Sequence, residues 1–278
     1  FRNWVSFIIG ARNKNEIISI DGKTICGAKS NGKKSPIHMV SAWSSGKNMV
    51  LGQVKVSEKS NEITAIPELL KGLFIRDTII TIDAMGCQTE IANCIIEEKA
   101  DYVLAVKNNQ GTLYQNIEDS FRFCKPDQIF EISNVDHGRV ETRKCSIISN
   151  LIHIENQEKW TDLKLLVKIE CERYDKSSKK TENSTRVYIA SKTESAEFYQ
   201  TCIRNHWAIE NKLHWTLDVS FKEDADRKRL ENAAQNFSII SKIALNILKN
   251  ETTKKSSINR KRRYAAMDLN YLNVLMKF

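Results

Sequence analysis

Apolar and polar positions follow two rhythms along this chain. EIISID (16–21) is rich in β-branched residues and predicts a short strand ending in an acid. A polar connection containing Gly and Lys follows at 22–36. IHMVSAWS (37–44) and MVLGQVKV (49–56) predict two strands joined by a hairpin turn through Ser45, Gly46, Lys47 and Asn48. Ile63, Ile66, Leu69, Leu70 and Leu73 then recur at helical spacing over 61–73. TIITID (78–83) predicts a second strand ending in an acid. A helix over 88–99, a strand over 101–106 and a helix over 113–123 come next.

From about 130 the rhythm changes, and β-like runs stand at 139–148, 164–173 and 186–191. In the second, Val167, Ile169 and Cys171 alternate with Lys168, Glu170 and Glu172, as in a half-exposed strand. KSSKKTENS (176–184) reads as a loop. From Ala196 the chain turns helical, with HWAIENKLHWTLDVSFKED (206–224) read as one long helix. Its anchors are Trp207, Leu213 and Leu217, and both Trp207 and Trp215 are read as core. A last amphipathic helix is expected over 264–278. This order predicts an α/β fold: a mixed sheet flanked by helices, with a β-rich insertion (about 126–193) before the helix that carries Glu210.

Composition fits a globular domain, with 41% hydrophobic and 28% charged residues, only 3 Pro and only 10 Gly. Lys and Arg number 43 against 34 Asp and Glu, a net charge of +9, which favours a polyanionic partner. The basic cluster Lys254, Lys255, Arg260, Lys261, Arg262 and Arg263, within a basic C-terminal segment (about 251–278), is either a nucleic-acid arm or a solvated linker. The 7 cysteines are odd in number and show no CxxC pair, which fits neither a disulfide framework nor a zinc ribbon. Small core residues in a reducing cytoplasm are the simple reading. The apolar run 4–9 is too short to span a membrane, and no membrane partner is expected.

The chemistry rests on acids. Asp21 and Asp83 each close a predicted strand, where functional groups gather in open α/β sheets. Two such carboxylates are hard oxygen ligands suited to Mg²⁺ or Mn²⁺. Equally, Asp21 with Gly22 makes a turn signal, and Asp83 can cap the helix after it. Glu210 adds a third acid, on a helical stripe with His206 and His214.

Longer runs then speak together. IDGKT (20–24), KSNEITAIPELL (59–70), TIDAMGCQTEIA (81–92), DYVLAVKNNQ (101–110), HGRVETR (137–143), RNHWAIENKLHWTLDVSFKEDADR (204–227) and ENAAQN (231–236) resemble the DDE transposases of bacterial insertion sequences, of the ISAs-like, H-repeat-associated type. The resemblance covers nearly the whole chain from Asp21 onward. It implies a ribonuclease-H-like catalytic domain over 16–278, with 1–15 the remnant of an N-terminal segment. It implies Asp21, Asp83 and Glu210 as catalytic and metal-binding residues, two Mg²⁺ or Mn²⁺ ions, and DNA cleavage and strand transfer. Transposon ends and target DNA are the implied partners, with a homodimer at synapsis. Candidate DNA contacts are Lys107, Asn109 and Gln110 after a strand, Arg139 and Arg143 on a strand face, and Arg204, His206, Asn211 and His214 around the glutamate. Arg139 and Arg143 are equally placed for cross-strand ion pairs.

One departure matters. Related insertion-sequence families place an Arg four residues before the glutamate and a Lys seven after it; this chain has His206 and Leu217 there. Those roles are not carried over, and His206, Arg204 and Lys212 are the available substitutes. Two alternatives remain. A truncated, non-mobilising relic that still binds DNA fits the short N-terminal stretch. A zinc hydrolase using His206, Glu210 and His214 fits the helical spacing but leaves both aspartates unexplained.

Overall fold

The computed structural model describes residues 4–5, 14–27, 36–57, 61–136, 138–228 and 230–277. The chain forms two compact units, residues 1–78 with 206–278, and residues 79–205.

In the first unit, β1 (Ile17–Ile25), β2 (Ile37–Ser44) and β3 (Met49–Lys55) form an antiparallel meander in the order β3-β2-β1. The hairpin turn falls at 45–48, as the sequence predicts. β1 does not end at its acid. Residues from Asp21 to Ile25 stay in the ladder, Asp21 opposite Ser41 and Ile25 opposite Ile37. Asp21 and Gly22 stay paired with β2, so the turn that this dipeptide signals elsewhere is not made. Helix α1 (Glu62–Lys71) buries Ala65, Ile66, Leu69 and Leu70 and packs on β2 and β3.

The run 206–224 is not one α-helix. Ile209–His214 winds as a π-helix, α5 (Trp215–Phe221) continues it, and a 3₁₀ turn spans Glu223–Ala225. Ile209, Leu213 and Leu217 are fully buried in a cluster with Trp43, Val50 and Leu245. Trp215 stands two residues past Leu213, on roughly the opposite side of the helix. It is 61% exposed, so the reading of Trp215 as core is corrected. Trp207 is half-buried.

Helix α6 (Ala233–Asn250) supports the outer edge of β3. Asn246 Oδ1 accepts from Val50 N at 2.8 Å, and Asn246 Nδ2 donates to Val50 O at 2.9 Å. One side-chain amide thus stands in for a strand neighbour.

In the basic C-terminal stretch, residues 251–257 are irregular, and α7 (Ile258–Met267) and α8 (Leu269–Leu275) follow. Several of its cations are held internally. Lys261 is buried against Glu251 at 2.9 Å, Lys254 lies over the Tyr264 and Tyr271 rings, and Arg262 lies over Phe221. Lys255, Arg260, Arg262 and Arg263 remain exposed.

The second unit is a six-stranded mixed sheet in the order β4-β5-β9-β8-β7-β6. β4 (Ile79–Ile82) and β5 (Asp101–Val106) run parallel, joined by the crossover helix α2 (Thr89–Glu97). Helix α3 (Gly111–Phe123) follows β5. The remaining pairs are antiparallel, among β6 (Gln128–Asp136), β7 (Arg139–Ile148), β8 (Leu165–Asp175) and β9 (Lys180–Ala190). Helix α4 (Ala196–His206) buries Tyr199, Cys202 and Ile203.

Two features differ from the sequence reading. β6 lies mostly in solvent, so its residues carry no apolar alternation to announce a strand. Half of the expected loop 176–184 is strand, because β9 pairs with β8 from Lys180 opposite Asp175 onward. Opposite charges at Arg173 and Glu182 add to that ladder. No helix of the described residues is long and apolar enough to cross a membrane. None of the seven cysteines is in a disulfide, and four of them are buried.

Candidate functional site

Strand alternation sorts the IDGKT run of the first unit. Asp21 and Lys23 point to one face of β1, Gly22 and Thr24 to the other. On the first face, Asp21 Oδ2 lies 3.2 Å from His214 Nε2. The contact is close but misaligned, because neither ring nitrogen of the buried His214 makes a hydrogen bond. Lys23 donates to Asp218 Oδ1 and lies 3.4 Å from both Glu223 Oε2 and Asp224 Oδ1. Burial alone would lower the Lys23 pKa; these three carboxylates outweigh it, and the net shift is upward. On the second face, Thr24 Oγ1 is 2.8 Å from His38 Nδ1, and His38 Nε2 is 2.6 Å from Glu62 Oε1. A Cβ at Gly22 would overlap the Glu62 carboxylate, which explains the glycine beside Asp21.

Glu210 sits on the π-helical segment and is exposed, while His214 on the same segment is buried. The sequence reading put both on one stripe of a partly buried α-helix. That stretch winds as a π-helix instead, and such segments recur at functional sites.

In the second unit Asp83 directly follows β4. Its Oδ1 accepts from Met85 N at 3.1 Å and caps the 3₁₀ turn Ala84–Gly86. β4 and β5 are parallel neighbours, so the segments leaving their C-terminal ends emerge side by side. Asn109 Nδ2 donates to Ala84 O at 2.6 Å, and Gln110 Nε2 donates to Cys87 O at 2.9 Å. Both amides hold the turn that begins at Asp83. A cavity of about 550 Å³ opens here, lined by Asp83, Lys107, Asn109, Tyr114, Arg186 and Tyr188 among others.

The remaining candidates are dispersed. Arg139 Nε donates to Asp175 Oδ2 at 3.2 Å. Arg143 lies 2.7 Å from Glu141, which also meets Arg173 at 3.3 Å. Arg204 and Asn211 are exposed, and His206 stacks edge-to-face on Trp207. Among the described residues no group of three or more His, Cys, Asp or Glu side chains is gathered to hold a metal ion.

Comparison with known proteins decides the family. The model of the transposase DDE domain matches residues 12–247. The chain belongs to the DDE transposase family. YncI of Escherichia coli O157:H7, named a candidate transposase, is 46% identical over 270 residues, covering 94% of this chain and 69% of that protein. YhhI of Escherichia coli K12, named an H-repeat-associated candidate transposase, is 43% identical over 282 residues, covering 98% of this chain and 74% of that protein.

Within this DDE domain, sequence reasoning missed two cations beside the acids. Lys23 lies inside the IDGKT run, two positions from Asp21, and strand alternation was the available signal. Arg186 reaches the Asp83 cavity through the pairing of Val187 with Val106, which no local pattern announces.

Proposed function

We propose that this DDE domain catalyses metal-dependent cleavage and strand transfer of DNA, on a ribonuclease-H-like fold. Asp21, Asp83 and Glu210 supply the reactive-site carboxylates. The observation that carries the reading is the cavity at Asp83, where a carboxylate stands among Lys107, Arg186 and side-chain amides. That lining suits a phosphodiester, which needs cations at its oxygens.

The donor set fits Mg²⁺ or Mn²⁺. The three acids are hard oxygen ligands, and Mg²⁺ is commonly held by one or two carboxylates, with water and substrate phosphate completing its shell. Bound divalent metal supplies an activated water and charge neutralisation at the phosphate. The protein's own part is positioning. Lys107 and Arg186 bind phosphate oxygens, and Asn109 and Gln110 fix the Asp83 turn. Transposon ends and target DNA are the proposed substrates, met in the cytoplasm by a synapsed homodimer.

The test is nicking of a duplex carrying the element's terminal repeats, with Mg²⁺ or Mn²⁺, beside a binding assay on the same DNA. Asp83→Asn preserves the turn cap, since Asn caps about as well as Asp. It is expected to abolish nicking and leave DNA binding intact. Nicking by Asp83→Asn at the wild-type rate would sink the assignment.

A further inference from the structure

We propose that Lys23 is a positioning residue: it sets the register of the Glu210-bearing segment on β1. The inference rests on the reading of Asp21 and Glu210 as reactive-site carboxylates.

Two intervals match. Asp21 and Lys23 are two residues apart on a strand, about 6.7 Å along it. His214 and Asp218 are four residues apart on a helix, about 6 Å along its axis. The close approach of Asp21 to His214 and the ion pair of Lys23 with Asp218 therefore fit one and the same helix position. Sliding the helix by one residue moves it about 1.5 Å and turns it about 100°, which breaks both.

Apolar packing sets which face of the helix is buried, and the charged contacts add a directional constraint along it. Ile209, Leu213 and Leu217 meet Trp43, Val50 and Leu245, and such contacts are non-directional. Lys23 is directional and expensive to misplace. Its side chain is 12% exposed and faces Asp218, Glu223 and Asp224 together. Leaving that charge unpaired in a buried site is strongly destabilising. The rungs are anchored further back. Ser238 Oγ donates to Glu223 Oε1 at 2.8 Å, and the buried Lys242 donates to Ser238 Oγ at 2.9 Å and to Gln53 Oε1 at 2.5 Å. β1, the 223–225 turn, β3 and α6 thus share one polar network.

The π-helical stretch makes the register consequential for Glu210. Its wider turns change the direction of every residue before His214, so the aim of Glu210 depends on where the helix is pinned. Lys23 pins it through Asp218, eight residues past Glu210.

The test compares Lys23→Met, Lys23→Arg and Asp218→Asn in the full chain. Amide exchange over 209–221 in metal-free protein reads how firmly that segment is held. Mn²⁺ affinity by calorimetry and the split between kcat and KM for nicking read its consequence. Lys23→Met is expected to speed exchange by about tenfold, weaken Mn²⁺ by about tenfold and lower kcat with KM for DNA nearly unchanged. Lys23→Arg keeps the charge and is expected to recover most of each loss. Asp218→Asn leaves Lys23 its two other acids, so it answers the question if Lys23→Met does not fold. Wild-type exchange in folded Lys23→Met or Asp218→Asn overturns the proposal, whatever the activity. A wild-type protein that neither binds Mn²⁺ nor nicks overturns the functional reading instead, and the exchange result still decides whether Lys23 holds the segment.

Discussion

The side-chain amide of Asn109 donates to the carbonyl oxygen of Ala84 at 2.6 Å, so the segment leaving β5 holds the turn that begins at Asp83. Asn109→Ala removes the donor and is expected to cost about 1 kcal/mol. Asn109→Asp puts a carboxylate against a carbonyl oxygen and is expected to cost more. Urea denaturation should rank wild type above Ala and Ala above Asp. Equal stability of wild type and Asn109→Ala would show that the contact contributes nothing.

Asn246 brackets Val50, satisfying both its N–H and its C=O from one buried side chain. Asn246→Leu has similar volume and no polar atom. It leaves both Val50 groups unpaired and is expected to destabilise by about 2–4 kcal/mol. Chemical denaturation of the purified variant measures this. A loss below about 0.5 kcal/mol would mean that water reaches the β3 edge and replaces the amide.

Gly22 is held free of a Cβ by the His38 and Glu62 side chains. The backbone there is extended strand, so the constraint is space alone. Gly22→Ala is expected to push Glu62 off His38 and destabilise by about 1–3 kcal/mol. Combined with Glu62→Ala, the same substitution should cost less, because the obstructing carboxylate is gone and the His38 ring, no longer held by it, can turn aside. Strict additivity in that double-mutant cycle would contradict the packing argument.

Stability should depend on pH in the alkaline range. Burial pushes the thiols of Cys87 and Cys145 and the hydroxyl of Tyr188 up to about 12 each, from 9.0 for the thiols and 10.0 for the phenol. The unfolded chain releases these protons first. Their contribution is therefore complete below about pH 9 and is lost as pH rises toward about 12. Lys242 acts with the opposite sign. Burial lowers it from 10.5 to about 8, so the folded state sheds its proton earlier and gains stability between those values. The buried thiols and phenols outnumber the buried amines, so the urea midpoint should fall from about pH 9 upward. Cys145→Ala should make that fall shallower. A midpoint that climbs between about pH 9 and pH 10.5 would show that Lys242 and Lys249 dominate.

The sequence by itself determined the elements whose burial is one-sided. The β2–β3 hairpin, α1, the β4–α2–β5 unit and α3 all carry apolar residues at the period of their structure, and all lie within a few residues of their predicted places. Asp83 was legible as a strand-end acid because β4 stops one residue before it. The family was legible in long motifs, and the DDE-domain match agrees with them.

The tertiary structure alone decided what depends on partners distant in the chain. β1 runs on through Asp21 because β2 pairs with it, and a local Asp–Gly signal has no knowledge of that neighbour. β6 exists through its ladder to β7, with little burial to mark it. Trp215 is exposed because Leu213 and Leu217 already occupy the packed face. Lys23 meets Asp218 across 195 positions, and Arg186 reaches the Asp83 cavity through strand pairing. Periodicity records which face of an element is buried. It does not record which charge waits on the other side of that face, since a hydrogen bond or ion pair is set by two positions and one sequence window contains only one of them.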